Sequence, residues 1–328
     1  MRTRSSVHPA AALLSAMLGV WSVLAGAQQA GPLSPPAPAD SRIDVLPVQG
    51  NVYMIGGGGP NVAAQVGRDG VLLVDAPQAG SAAAVIAAVR RLSDKAVRYV
   101  ISTSADAEHR DGLPSFIPVT GRGTGGAPFA ALGLTRPAIV AHEKVLDRLN
   151  PPGRPPLAPA AALPTTTYAM SSMDFSFNGE PVVIEHEPAA HTDGDSIVWF
   201  RRSDVLAVGD LVRLDRYPVV DVEGGGTIRG LIAALNRIIE IAVPERLQDG
   251  GTRIVPGHGR LCNEADIVEY RDMVAIVGDR VQDMIGKGMT LDQVKAARPT
   301  RDYDTRYGSG DAFAEAAYRT LSPARGAR

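Results

Sequence analysis

The chain has 328 residues, 45% of them apolar, with 33 basic and 35 acidic side chains, six histidines and one cysteine. A chain of this size and apolar content can bury one large core or two small ones. The single Cys262 excludes an internal disulfide, and no block of Lys or Arg forms a stripe able to follow a phosphate backbone, which argues against nucleic acid as a partner.

The first residues read as an export signal. Arg2 and Arg4 make a basic start, Ala10 to Leu24 is an apolar run, and Ala25-Gly26-Ala27 is a small-x-small cleavage site. The run is about 15 residues, short of the ~20 that span a bilayer. Cleavage after residue 27 predicts a periplasmic or secreted protein with no stable membrane insertion. It removes two arginines and no acid, leaving 31 basic and 35 acidic side chains. Without disulfides, such a protein is held by its core, with or without a metal.

Residues 28–40 form a Pro/Ala linker. Short apolar runs follow at Val45–Val48 and Val52–Ile55, then the glycine run Gly56–Gly59. Val62–Val66 and Val71–Val74 read as strands of a hairpin turning at Arg68-Asp69-Gly70. Ser81–Leu92 has helical spacing, and Val97–Ser102 is the next strand. Residues 118–136 are Gly/Thr/Pro-rich and predict a surface excursion. Ala138–Ala141 resumes as strand and Glu143–Leu149 as helix, and the proline-laden Asn150–Pro164 excludes regular structure. A second β-rich half comprises Phe175–Phe177, Val182–His186, Ser196–Phe200 and Val205–Val208. Helix Ile228–Val243, strand Arg253–Val255, the long helix Ala265–Lys287 and a helix Thr290–Ala297 with an N-cap threonine complete the reading. Two β-then-α halves predict two sheets face to face with helices outside.

Polar residues suited to metal cluster at predicted strand ends. His109 lies in Ser104-Ala105-Asp106-Ala107-Glu108-His109, His191 in Ala190-His191-Thr192-Asp193-Gly194-Asp195, Asp210 in Gly209-Asp210-Leu211 and His258 in Pro256-Gly257-His258-Gly259. Strand-end loops converge on one rim of a sandwich. Imidazole and carboxylate together suit zinc, and also iron or manganese. Other candidates have plainer readings. Gly56–Gly59 lacks the Lys-Ser/Thr of a phosphate loop and reads as a tight turn. His142 reads as a hydrogen-bonded structural residue, His186 as sheet surface and Cys262 as a small buried hydrophobe.

In these fragments, with Val71-Leu72-Leu73-Val74-Asp75 and Ile254-Val255 before Pro256, the chain resembles the metallo-β-lactamase superfamily over about residues 43–320. The tail around Pro299-Thr300 and Tyr303 resembles periplasmic members. The resemblance implies a four-layer αββα sandwich over residues 41–322, ending in C-terminal helices. The family's hallmark H-x-H-x-D-H is altered here. Aligned on His109, the chain reads Ser104-x-Asp106-x-Glu108-His109.

Carried over residue by residue, the resemblance implies two unequal metal positions. One would hold Glu108, His109, Asp210 and His258; the other keeps only His191, Asp106 and a share of Asp210. Asp75 takes an outer role behind the metal loop. Altering even an outer-shell partner typically costs ~10–100-fold in affinity, so the expectation is one zinc, with manganese or iron as alternatives and a carboxylate-rich pair of ions next. The activity implied is metal-dependent hydrolysis of a small ester, lactone, amide or thioester, with Glu108, Asp106 and Asp210 as catalytic carboxylates. The rival is a non-catalytic periplasmic binding protein on the same fold.

Overall fold

The computed structural model describes residues 43–116 and 137–323. The expected export segment, the expected linker over 28–40 and the 118–136 stretch lie outside the described residues.

Seven strands form the first sheet in simple chain order: β1 Asp44–Gln49, β2 Val52–Gly56, β3 Val62–Gly67, β4 Gly70–Val74, β5 Val97–Ile101, β6 Ala138–His142 and β7 Thr166–Tyr168. β1 to β4 pair antiparallel, joined by short turns, whereas β4 to β7 pair parallel. Parallel neighbours need crossovers. The first is α1, Ala82–Leu92, whose Val85, Ala88 and Val89 are buried at helical spacing. Short α2 (Leu113–Phe116) follows β5, and α3 (Glu143–Leu149) follows β6.

The second sheet holds β8 Ser172–Phe177, β9 Glu180–Glu187, β10 Asp195–Phe200, β11 Val205–Ala207 and β12 Arg253–Val255, in the order β12-β11-β10-β9-β8. Its crossover from β11 to the parallel β12 is α4, Ile228–Ile241, capped by Thr227, whose Oγ1 accepts from the Gly230 N–H at 2.9 Å. Then come α5 (Glu264–Gly286), α6 (Leu291–Ala297), α7 (Asp304–Tyr307) and α8 (Asp311–Leu321). α5 opens on a reciprocal capping box between Asn263 and Asp266, and α6 on one between Thr290 and Gln293.

Strand alternation sorts the core into three layers. On β4, Val71 and Leu73 face the helices over the first sheet, while Leu72 and Val74 face the second sheet. On β10 and β11, Val198, Phe200, Val205 and Ala207 meet that inter-sheet core, whereas Ile197 and Leu206 face α4, α5 and α8. Helix, sheet, sheet, helix is the predicted four-layer sandwich. Observed boundaries shift by up to three residues, most at β8, which begins at Ser172 rather than Phe175. β7 is a strand that sequence reading missed. Three residues of Thr-Thr-Tyr carry too little pattern alone, and pairing to β6 decides them. No helix among the described residues is long and apolar enough to cross a membrane.

Candidate metal centre

The C-terminal ends of β4, β5, β11 and β12 and the N-terminal end of β10 lie on one rim, because β10 runs antiparallel to β11. Their loops deliver Asp75, residues 102–109, His191, Asp210 and His258 to one place. Asp75 adopts the left-handed conformation (φ 63°), which aspartate tolerates better than most residues. Its carboxylate accepts from the Thr103 N–H at 2.8 Å and from the Thr103 hydroxyl, and fixes the loop after β5. Across the rim, the Asn61 side-chain amide donates to the carbonyls of Pro256 and Gly259, each at 2.9 Å, and ties the turn after Gly56–Gly59 to the His258 loop. The glycine run ends β2 and forms the connection to β3, wider than the tight turn expected since six residues separate the Ile55–Val62 pair, and Asn61 beside it is a positioning residue that sequence reading missed.

Two groups of ligand-type atoms result, each within 4.8 Å of one another: Glu108, His109, Asp210 and His258, and Asp106, His191 and Asp210. In the first group, His109 Nδ1 lies 3.0 Å from Asp75 Oδ2, so a proton on Nδ1 leaves Nε2 facing Asp210 Oδ1 at 3.1 Å. His258 Nε2 stands 3.4 Å from Glu108 Oε1 and 3.6 Å from Asp210 Oδ1. His109 Nε2, Asp210 Oδ1 and His258 Nε2 are all buried, face one another and make no geometrically sound hydrogen bond. Buried polar atoms are rarely left so. Three orphaned donors of the types zinc accepts, with a fourth from Glu108, fit a divalent cation.

The second group is closed on itself. His191 Nε2 contacts Asp106 Oδ2 at 2.7 Å and Nδ1 contacts the Val219 carbonyl at 2.8 Å, leaving neither nitrogen spare. Ser104, where the resembling motif has histidine, accepts from the Asp106 N–H at 3.2 Å.

Arg213, absent from the sequence reading, lies between the acids. Its Nη1 donates to Glu108 Oε1 at 2.9 Å and to Asp210 Oδ2 at 3.0 Å. One signal could have found it: a basic residue three positions after a strand-end aspartate, where a single helical turn returns it to the same side.

The charges respond to this packing. Burial opposes ionisation of His191, yet the hydrogen bond and charge of Asp106, with Asp195, push it up to about 9. Burial likewise opposes His109, but Asp75 and Asp210 hold it well above the ordinary imidazole range. Burial would raise Asp210, and His109, His191 and Arg213 outweigh it and keep its carboxylate ionised. Burial, helped by Arg213 and His109, lowers His258 against the pull of Asp210.

Among the described residues, the remaining histidines lie elsewhere. His142 caps α3, and its ring stacks on His186 with centroids 3.5 Å apart. His186 is therefore not plain sheet surface, since its Nε2 also meets the Asp193 carbonyl at 2.8 Å. Cys262 is buried, its thiol donating to the Ile254 carbonyl at 3.4 Å.

Next to the rim, Glu187 and Asp195 are register partners across β9 and β10. Burial, aided by Glu185, pushes Glu187 up to about 7, and burial pushes Asp195 up to about 7 although it accepts from the Thr192 N–H and hydroxyl. Raised acids retain protons in the folded state that the unfolded chain has released. Their contribution is therefore present at low pH and is lost as pH rises through 7. We expect Glu187→Gln to stabilise the protein at pH 8 by on the order of 1–2 kcal/mol, discounted for solvent screening, and to change little at pH 4. Urea unfolding at the two pH values checks this.

The chain matches no protein-family model and no curated protein. Solved structures do share its architecture. The inverting sec-alkylsulfatase Pisa1 from Pseudomonas sp. aligns with TM-score 0.65 and 14% identity over 84% of this chain and 50% of its own. A metallo-β-lactamase from Pontibacter korlensis aligns with TM-score 0.52 and 12% identity over 71% of this chain and 99% of its own. For the DIM-1 metallo-β-lactamase the figures are 0.51 and 13%, over 71% and 97%. The chain thus spans half the length of the alkylsulfatase and nearly all of the lactamases. Identities this low speak to the fold alone. With its two facing sheets, outer helices and polar rim, the chain has the metallo-β-lactamase fold.

Proposed function

We propose that the protein is a hydrolase using one divalent cation, zinc before manganese or iron, held by Glu108, His109, Asp210 and His258. One observation carries the reading: three buried ligand atoms, His109 Nε2, Asp210 Oδ1 and His258 Nε2, face one another and meet no hydrogen-bond partner outside the group. A divalent ion there supplies Lewis acidity, polarising a carbonyl or ester oxygen and easing deprotonation of water near neutral pH. The protein's own residues do the rest. Asp75 holds the His109 ring in orientation. Asp106 and Glu108 are the centre's partly exposed carboxylates, each with side chains about a third open, so they are placed to orient water and accept its proton. Of the four residues that would hold the ion, Glu108 and Asp210 both also accept from Arg213, and Glu108 is the more exposed of the two.

The fold serves sulfate-ester and β-lactam chemistry in its solved relatives, so it does not select the bond. Small esters, lactones, amides and thioesters are the proposed substrates. Export to the periplasm or beyond completes the proposal, with a small molecule and no nucleic acid as partner. The test is metal analysis of the purified chain beside an ester and lactone panel. We expect one ion per chain and turnover. Less than about 0.2 ion per chain, with no turnover in added zinc, manganese or iron, would overturn it.

A further inference from the structure

We infer that Arg213 is a resident counter-cation that limits this centre to one metal ion. The inference rests on the single-ion reading above and extends it. Asp210 divides its two oxygens. Oδ1 faces His109 and His258, while Oδ2 accepts from Arg213 Nη1 at 3.0 Å. Asp210 belongs to both groups of ligand atoms, and the guanidinium occupies the one of its oxygens that does not face His109 and His258. The same Nη1 takes Glu108 Oε1 at 2.9 Å. The other donors for a second ion, Asp106 and His191, are engaged with each other.

Arg213 is built into this position. It is 4% exposed, and its Nε makes no hydrogen bond, so the carboxylates are its principal partners. Its backbone N–H donates to the Tyr270 hydroxyl at 3.3 Å, and the Leu214 N–H donates to the His258 carbonyl at 3.0 Å. Arg213 is thereby fastened to the loop that carries His258. A guanidinium keeps its charge at any physiological pH, so deprotonation does not vacate the place, as it can for lysine or histidine. Removing a buried charge from two carboxylates is costly unless another cation replaces it. The altered motif agrees: where the resembling pattern has two histidines for a further ion, this chain has Ser104 and Asp106, and it supplies a fixed positive charge instead.

The test counts ions. The full chain, the neutral variants Arg213→Met and Arg213→Gln, and the charge-keeping Arg213→Lys are saturated with zinc, desalted and analysed for metal. A parallel cobalt(II) titration is followed by visible absorption. We expect one ion in the parent and in Arg213→Lys, and two in whichever neutral variant keeps the parent's circular dichroism. Two ions in the parent, or one ion in a folded neutral variant, overturns the inference and leaves the single-ion hydrolase to its own test. No ion in any form overturns both. An empty parent beside a loaded neutral variant likewise overturns both, since the parent then holds no ion for Arg213 to limit.

Discussion

Asp210→Ala is expected to weaken cation binding more than ~100-fold and to destabilise the ion-free protein by about 3–5 kcal/mol. Both effects come from one side chain whose exposure is 0%. As a ligand, Asp210 stands between His109 and His258 and is shared by both groups of ligand atoms. As a structural anion, it offsets Arg213 and the raised His109 in a place water does not reach. Its loss leaves two cations buried with one carboxylate partner fewer, and an uncompensated buried charge is the costly case. Asp210→Asn preserves volume and separates the terms, because it keeps a hydrogen-bond acceptor for Arg213 but forfeits the charge. Zinc competition titration reads the first effect and urea unfolding of chelator-treated protein the second. A loss of affinity under tenfold, or a stability change within about 1 kcal/mol, would contradict this account.

Gly257→Ala is expected to damage the centre without replacing any ligand. A Cβ there would lie 2.4 Å from Asp210 Oδ1 and 2.7 Å from the Gly209 carbonyl carbon and oxygen. The Gly209 contact is backbone, and Gly209 is itself left-handed (φ 50°) with Thr103 packed against it, so it has nowhere to retreat. The strain passes to the carboxylate, which must leave its place opposite His109. Overpacking of this kind costs about 1–3 kcal/mol, and a displaced ligand should cost at least ~10-fold in zinc affinity. Gly80→Ala is the control, since a Cβ there meets nothing within 4 Å. Equal zinc affinity in the two variants would contradict the proposed tightness of the rim.

Much of the architecture was legible in the residue pattern. Strand β4 reads from Val71-Leu72-Leu73-Val74 alone, because a run apolar at every position is what a strand buried on both faces requires. α4 reads from its amphipathic spacing and α6 from its N-cap Thr290, whereas the caps Thr227 and Asn263 came from the structure. β7 was not legible, being too short for any period. His186 reads as surface from its charged neighbours Glu185 and Glu187, yet the fold lays it against His142, 44 positions away.

The candidate centre divides in the same way. His109, His191, Asp210 and His258 announce themselves by chemistry and by position after strands, and Asp106 and Glu108 by their place beside His109. What each does was not written locally. That Asp106 closes on His191, that Glu108 turns to a guanidinium, and that Arg213 stands where a second ion would draw charge all depend on contacts spanning 85 and 105 positions. The sequence by itself determined which elements form and which ligand types reach the rim, because hydrophobic period and turn chemistry act over a few residues. Only the tertiary structure decided how the charges pair, because electrostatic partners are chosen by distance in space and by exclusion of water, and neither is a property of neighbours along the chain.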